Sequence, residues 1–269
     1  MLKGVTLGQY FPGDSAIHRM DPRSKLVIVV LYIVVLFLSK SFLSYGILLL
    51  FLLWCIKVSK VGIKAVFRGM KPVVLILIIT GVLNLFYTET GYTLWEWKFL
   101  HITTGGVLSA LFMVLRVMLL ISGTFLLTYT TSPIRLTDGL ESLLGPLKKL
   151  HVPVHELSLM MSIALRFIPT LIEETDKIMS AQKARGADFD TGNLIQKAKA
   201  MVPLLVPLFI SSFRRADELA TAMECRCYHG GKGRTKLCQL HFQRLDVVAL
   251  ISCVVLFSGV IVAARGFGL

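Results

Sequence analysis

Acidic side chains are scarce in this sequence: 16 Asp and Glu stand against 29 Lys and Arg, for a formal net charge of +13. Charge of either sign makes up only 17% of residues, while 55% are hydrophobic and the mean hydropathy is +0.72. A soluble domain of this length lies nearer to balance. A basic surplus on its own fits a nucleic-acid partner. On so apolar a chain it fits a membrane protein with basic cytoplasmic faces. Cysteine is sparse too, at five in 269 residues, without disulfide spacing. Cys55 and Cys253 lie inside apolar runs, so all five are read as reduced, as expected of a chain facing the cytoplasm. No phosphate-cradling loop is present, because GGKGRTK lacks both the Walker spacing and a preceding strand. Any ATP chemistry therefore belongs to another chain. No low-complexity tract occurs. The polar first 25 residues, followed by an apolar run without a small-residue cleavage pattern, do not read as a signal peptide.

What the chain has in plenty is long apolar segments. A bilayer core of about 30 Å needs about 20 apolar residues in a helix. Leu26–Leu38, Leu43–Ile56, Val73–Tyr87, Gly106–Thr130 and Val247–Ala264 are read as five spans, with flanking Lys and Ser completing the short ones. Lys3, Arg19, Arg23 and Lys25 precede the first. Lys57, Lys60, Lys64, Arg68 and Lys71 separate the second from the third, with no acid among them. The other connections carry Lys40, and Lys98 against Glu89 and Glu96. The positive-inside rule places the N-terminus in the cytoplasm and the short C-terminus outside. Trp95 and Trp97 fall in an external loop, where an interfacial aromatic belt would want them. The division expected is a membrane domain over 1–131, a cytoplasmic domain of long amphipathic helices over 132–245, and a last span over 246–269.

The cytoplasmic insert reads as helical. Ser132 and Pro133 form an N-cap followed by proline at the first helical position. A second helix is expected from about Val154 to Arg185, with Gly186 as its stop and DFDTGN as a turn. A third runs from about Leu194 to Tyr228. Residues 157–172 and 200–213 are almost wholly apolar but shorter than a span, and are interrupted by Arg166 with Pro169, and by Pro203 with Pro207. They are either extra buried spans or, as the preferred reading, helices lying on the membrane's cytoplasmic face or on each other, bent by their prolines. The surface of Leu204, Leu205, Leu208 and Phe209 is expected to pack on other helices or a partner.

Catalytic signals are faint. His151, His155 and Glu156 do not make H-E-x-x-H, and read as polar residues at a helix start. Cys225, Cys227, His229, Cys238 and His241 are zinc-ligand types, but the paired C-x-x-C spacing is missing and Arg226 would stand between two ligands. No metal, cofactor or catalytic residue is assigned. Arg116, inside the fourth span, is an intramembrane charge; it either has a function, or pairs with a helix carbonyl or snorkels.

Two cationic tips remain. Ala184-Arg185-Gly186 and Cys225-Arg226-Cys227 each set an arginine between small residues at the end of a long helix. The first reads as an ordinary glycine cap. Cys227 carries a Cβ and is not expected in the left-handed conformation that makes glycine a cap. What both copies share is small-Arg-small. Small neighbours allow close approach, and arginine offers a fork of donors to carboxylates or exposed carbonyls.

These tips occur in the order GQYFPGDSAIHRMDPRSKL, RGMKP, TTSPIRLTDGLESLLGPL, LRFIP, AQKARGADF, RRADELATAMECRCY. In that order, over nearly the whole length, the chain resembles the CbiQ-like transmembrane T components of energy-coupling factor transporters of prokaryotes. The resemblance implies an all-α integral membrane subunit that is not itself an enzyme. It implies docking of two alanine-arginine-glycine helix ends onto two ABC-type ATPases, identical or different, and a hold on a separate membrane-embedded S component that binds a vitamin or other micronutrient. Ala184, Arg185 and Gly186 match the first motif. In the second only Arg226 matches, with Cys225 for alanine and Cys227 for glycine. A stand-alone channel or secondary transporter is the alternative, and it calls for more intramembrane polar residues than Arg116, Asn84 and a few hydroxyls. No nucleic-acid partner is expected.

Overall fold

The computed structural model describes residues 10–39, 41–87, 92–97, 100–189, 193–230 and 239–266, and their side chains except at 93–97, 100–102, 194 and 263–266. In chain order the helices are α1 (Ala16–Arg19), α2 (Pro22–Leu38), α3 (Phe42–Ser59), α4 (Ile63–Met70), α5 (Val74–Tyr87), α6 (Thr104–Thr130), α7 (Pro133–Leu143), α8 (Val154–Ala184), α9 (Leu194–Cys225) and α10 (Arg244–Gly266). Short 3₁₀ turns at Lys71–Val73 and Gly145–Leu150 join α4 to α5 and follow α7. The expected all-α membrane fold is what forms, with one addition. The loop carrying Trp95 and Trp97 is an antiparallel hairpin, β1 (Thr93–Trp97) paired with β2 (Leu100–Thr103) and Trp97 opposite Leu100. The belt role expected of the two indoles concerns side chains outside the described set.

Five stretches among the described residues are long and apolar enough to cross a bilayer: Phe42–Ser59, Ile63–Tyr87, Thr104–Thr130, Val154–Ala184 and Arg244–Val262. Four of them contain or overlap the expected second to fifth spans. The first expected span is α2, whose 17 residues rise only about 25 Å. In its place α8 qualifies by length and composition, through its apolar N-terminal half.

Among the described residues two compact units emerge, one built from residues 10–140 and from Leu240 onward, the other from Glu141–Gln239. In the first, α2, α3, α6 and α10 pack around Tyr32, Leu36, Leu48, Leu52, Leu119, Phe257 and Val260. Lipid tails are as apolar as leucine, so close fit and hydrogen bonds hold such spans together. Tyr32 shows both. Its ring lies on Gly123, where an added Cβ would come within 2.7 Å, and its hydroxyl donates to the Leu119 carbonyl at 3.2 Å. Tyr129 does the same over Gly69, donating to Ala65 O at 3.3 Å.

The helix ends of this unit are tied with equal care. Asp246, fully buried at the start of α10, accepts from the Gln243 and Asp21 amides, each at 2.8 Å. Asp21 in turn caps α2 through the Arg23 amide at 2.8 Å. His18 bridges the Ser15 hydroxyl at 2.7 Å and the Phe11 carbonyl at 3.1 Å. Burial holds its imidazole below the usual range, so the neutral ring accepts from Ser15 and donates to Phe11.

Candidate functional site

The second unit is dominated by α8 and α9, of 31 and 32 residues. Both survive internal prolines. α8 contains Pro169, and α9 contains Pro203 and Pro207. Pro207 has no N–H to give to the Pro203 carbonyl one turn back. That carbonyl instead receives Nε2 of Gln182 from α8, at 3.3 Å. A defect in one helix thus becomes a tie to the other. The start of α9 is set by a capping box, in which the Asn193 side chain accepts from the amide of Gln196 and the Gln196 side chain accepts from the Asn193 amide at 3.0 Å.

A second tie lies farther along. Glu174 of α8 accepts a hydrogen bond from Ser211 and an ion-paired one from Arg215 Nη2 at 2.7 Å, both on α9. Gln182 meets Pro203 while Glu174 meets Ser211 and Arg215, so the two helices run in opposite senses through the contact. Arg185 lies 11 residues beyond Glu174, and Arg226 lies 11 residues beyond Arg215 (185 − 174 = 226 − 215). At 1.5 Å per residue each arm is about 17 Å long. The Glu174–Arg215 pair therefore stands midway between two tips that point away from it in opposite directions, up to about 33 Å apart.

The tips have the same architecture. At the end of α8 the Gly186 amide donates to Lys183 O at 3.0 Å and the Ala187 amide to Gln182 O at 3.0 Å. At the end of α9 the Cys227 amide donates to Glu224 O at 2.8 Å and the Tyr228 amide to Met223 O at 3.0 Å. Both are Schellman caps, with the arginine as the C-cap residue and its successor left-handed: φ is +88° at Gly186 and +55° at Cys227. The expectation that Cys227 avoids this conformation is thus corrected. The two carbonyls it helps to satisfy outweigh the clash of its Cβ, which costs ~1–2 kcal/mol.

Ala184, Arg185, Gly186, Cys225, Arg226 and Cys227 are all exposed. Among the described residues neither guanidinium has a hydrogen-bond or ion-pair partner. Two cations shielded within the first unit, by contrast, are engaged at helix C-termini. Lys25 Nζ, buried, donates to Thr130 O at 2.9 Å and Thr131 Oγ1 at 3.1 Å, closing the end of α6. Arg116 donates from Nε to Tyr45 Oη at 2.9 Å and from Nη2 to Ser39 O at 3.4 Å, closing the end of α2. Its guanidinium also lies 5.7 Å from the centre of the Phe37 ring. The intramembrane arginine is thus a helix cap, the second of its two expected roles.

The remaining candidates separate. Leu204 is buried, Leu208 is half-buried, and Leu205 and Phe209 are exposed beside Met201, Val202, Val206, Ile210 and Phe213. His155 Nδ1 contacts Glu141 Oε1 at 3.1 Å, and His151 ends a 3₁₀ turn in the left-handed region. Among the described residues no three His, Cys, Asp or Glu are grouped to hold a metal, and Cys55, Cys225, Cys227 and Cys253 are free thiols. Cys238 lies outside the described residues. A cavity of about 320 Å³ in the first unit is mostly apolar; its polar lining is Lys25, Thr130, Tyr32 and Ser252, each hydrogen-bonded within the protein, and the thiols of Cys55 and Cys253.

Comparison with known proteins follows the same outline. The family model described as cobalt transport protein, CbiQ, matches residues 13–237. An energy-coupling factor transporter transmembrane protein, EcfT, of Clostridium kluyveri is 56% identical over 257 residues, covering 95% of each chain. Its counterpart in Acidaminococcus fermentans is 52% identical over 96% of each chain. The Bacillus subtilis counterpart is 47% identical over 95% of this chain and 97% of the relative.

Proposed function

The chain belongs to the CbiQ family, as the transmembrane component of an energy-coupling factor transporter, and from that premise we propose that α8 and α9 are its coupling levers. Each lever ends in an arginine that docks on one of two ABC-type ATPase subunits. ATP binding and hydrolysis in those partners move the tips. The helices, tied at Glu174–Arg215 and Gln182–Pro203, carry the displacement to a membrane-embedded S component that binds a vitamin or similar micronutrient. The subunit itself performs no catalysis.

One observation carries this reading. Lys25 and Arg116 are used up in closing helices, whereas Arg185 and Arg226 stand on finished caps with their donors unspent. The guanidinium fork at each tip is then free for a carboxylate or a row of carbonyls on another chain. The equal arms on either side of Glu174–Arg215 suit two similar acceptors. The mostly apolar cavity offers a hydrophilic solute two weakly polar thiols beside groups already hydrogen-bonded, which supports a separate substrate-binding chain. The stand-alone carrier reading loses its main intramembrane charge, because Arg116 is occupied. The exposed apolar stretch that includes Leu205 and Phe209 is assigned to the S component. The N-terminus and the Arg185 and Arg226 tips are placed on the cytoplasmic side, from the crowding of Lys and Arg.

The test is charge reversal. Arg185→Glu and Arg226→Glu should each weaken docking of one ATPase subunit by at least ~2–5 kcal/mol, the range for losing one partner of a buried charge pair, to which the like-charge contact adds. Lysine at either position should restore docking in part. Co-purification and transport of the double glutamate variant, with its helicity checked, decide the matter. A folded double variant that retains both ATPases and transports normally removes the proposal.

A further inference from the structure

The stretch between α3 and α5 carries cations that neither a helix cap nor the proposed coupling uses. Lys57, Lys60, Lys64, Arg68 and Lys71 fall within 57–71, all are exposed, and that stretch holds no Asp or Glu. None of the five pairs with a carboxylate among the described residues. At 100° per residue, α4 has three sectors. Val66 and Met70 are buried, Met70 Sδ accepts the Ser122 hydroxyl at 3.5 Å, and Gly69 lies against Tyr129 and Phe125, so one sector is fastened to α6. Ile63 and Phe67, 54% and 64% exposed, form a second sector. Lys64, Arg68 and Lys71 form the third, directly beside them.

We propose that α4 with its flanking lysines is a binding site for the headgroups of anionic phospholipids, with Ile63 and Phe67 set among the acyl chains beneath the phosphates. The charge is complementary and has no internal acid to offset it. An apolar sector beside a basic one matches a layer whose composition changes from phosphate to hydrocarbon over a few ångströms. Nucleic acid would match only the cations. The helix also continues through the 3₁₀ turn at Lys71–Val73 into α5, where Leu75, Ile76 and Ile79 are exposed in an apolar span, so it sits where a span meets the headgroups. Arginine at 68 offers a bidentate fork to phosphate, while the lysines act as point charges. A site of this kind holds the α3–α4 turn at a set depth while other parts of the transporter move.

The test uses the full chain reconstituted in vesicles, with Trp54, Trp95 and Trp97 changed to Phe and Phe67→Trp as reporter. Brominated phosphatidylglycerol and brominated phosphatidylcholine are compared as quenchers at equal mole fraction. Phosphatidylglycerol should be preferred at least about fivefold, the factor for one cation within reach of an anionic surface. The preference should vanish when Lys57, Lys60, Lys64, Arg68 and Lys71 are all Gln, and should fall in the milder Lys64→Gln, Arg68→Gln pair. A Leu75→Trp reporter, deeper in the span, should see both lipids alike. Equal quenching at position 67 in the otherwise native chain, or a preference that survives the glutamines, overturns the proposal. Loss of quenching when ATPase subunits are added would make the basic face a protein contact and also overturn it.

Discussion

Cys227 and Arg116 are the two residues whose environments explain most. Cys227 occupies the left-handed position of a Schellman cap, a conformation that suits glycine. Cys227→Gly should therefore stabilise the protein by ~1 kcal/mol, the relief of the Cβ clash, and Gly186→Ala should destabilise it by a similar amount. Thermal melts of the purified chain check both, and a lower melting point for Cys227→Gly would show that the thiol is doing something the cap does not require. Arg116 closes the last carbonyl of α2 at Ser39 and orients Tyr45, whose own hydroxyl also donates to Ser39 O at 3.2 Å. Removing the guanidinium takes the Nε donor from the Tyr45 hydroxyl and leaves Ser39 O with Tyr45 alone. Arg116→Met should cost ~1–3 kcal/mol. Were Arg116 a transport residue, the same change would abolish transport at unaltered stability, so the pair of measurements separates the two roles.

At the scale of elements, α8 and α9 matter as a pair. Each is interrupted by proline, and neither would be stiff alone. Gln182 repairs the carbonyl freed by Pro207, and Glu174 receives Ser211 and Arg215 from across the crossing. The ion pair is only partly shielded, with side-chain exposures of 21% and 35%, so its stabilising effect should be at most ~1 kcal/mol. Its mechanical effect is larger if the levers pivot there. Glu174→Ala and Arg215→Ala should leave ATPase attachment intact while slowing transport severalfold, and the exchange Glu174→Arg with Arg215→Glu should recover part of the rate. Unchanged transport in both single variants would show that the crossing needs no such tie.

Across the whole molecule, length and apolarity select the segments able to cross the bilayer. α2 is shorter than a typical span, and α8 is long and apolar enough to be one. The proposed orientation, read from the Lys and Arg pattern, has α8 and α9 on the cytoplasmic side, whereas a crossing by α8 alone would carry Cys225 and Cys227 to the other side. In a variant retaining only those two cysteines, both exposed, an impermeant thiol reagent should label neither in intact cells and both after permeabilisation. Labelling of intact cells would place α8 across the membrane.

Much of this was legible along the chain because its causes are local. Apolar runs of span length announce helices whatever they pack against, and Pro133 and Gly186 mark a helix start and a helix stop through their own backbone chemistry. Basic residues with no acids nearby mark a face. The order of six motifs along the chain, the two tips among them, carried the family resemblance. The tertiary structure decided what depends on distant partners. Whether Arg116 is spent or free rests on Ser39 and Tyr45, some 70 residues earlier. The left-handed Cys227 arises because two carbonyls of α9 need donors, and residue type alone disfavours it. The helix α4 was hidden within a basic connection, although Val66 and Met70 recur at helical spacing, because eight residues cannot hold a helix without the α6 surface they pack on. The midpoint at Glu174–Arg215 exists only once α8 and α9 run past each other in opposite senses, since packing brings those two residues together across 41 positions of chain.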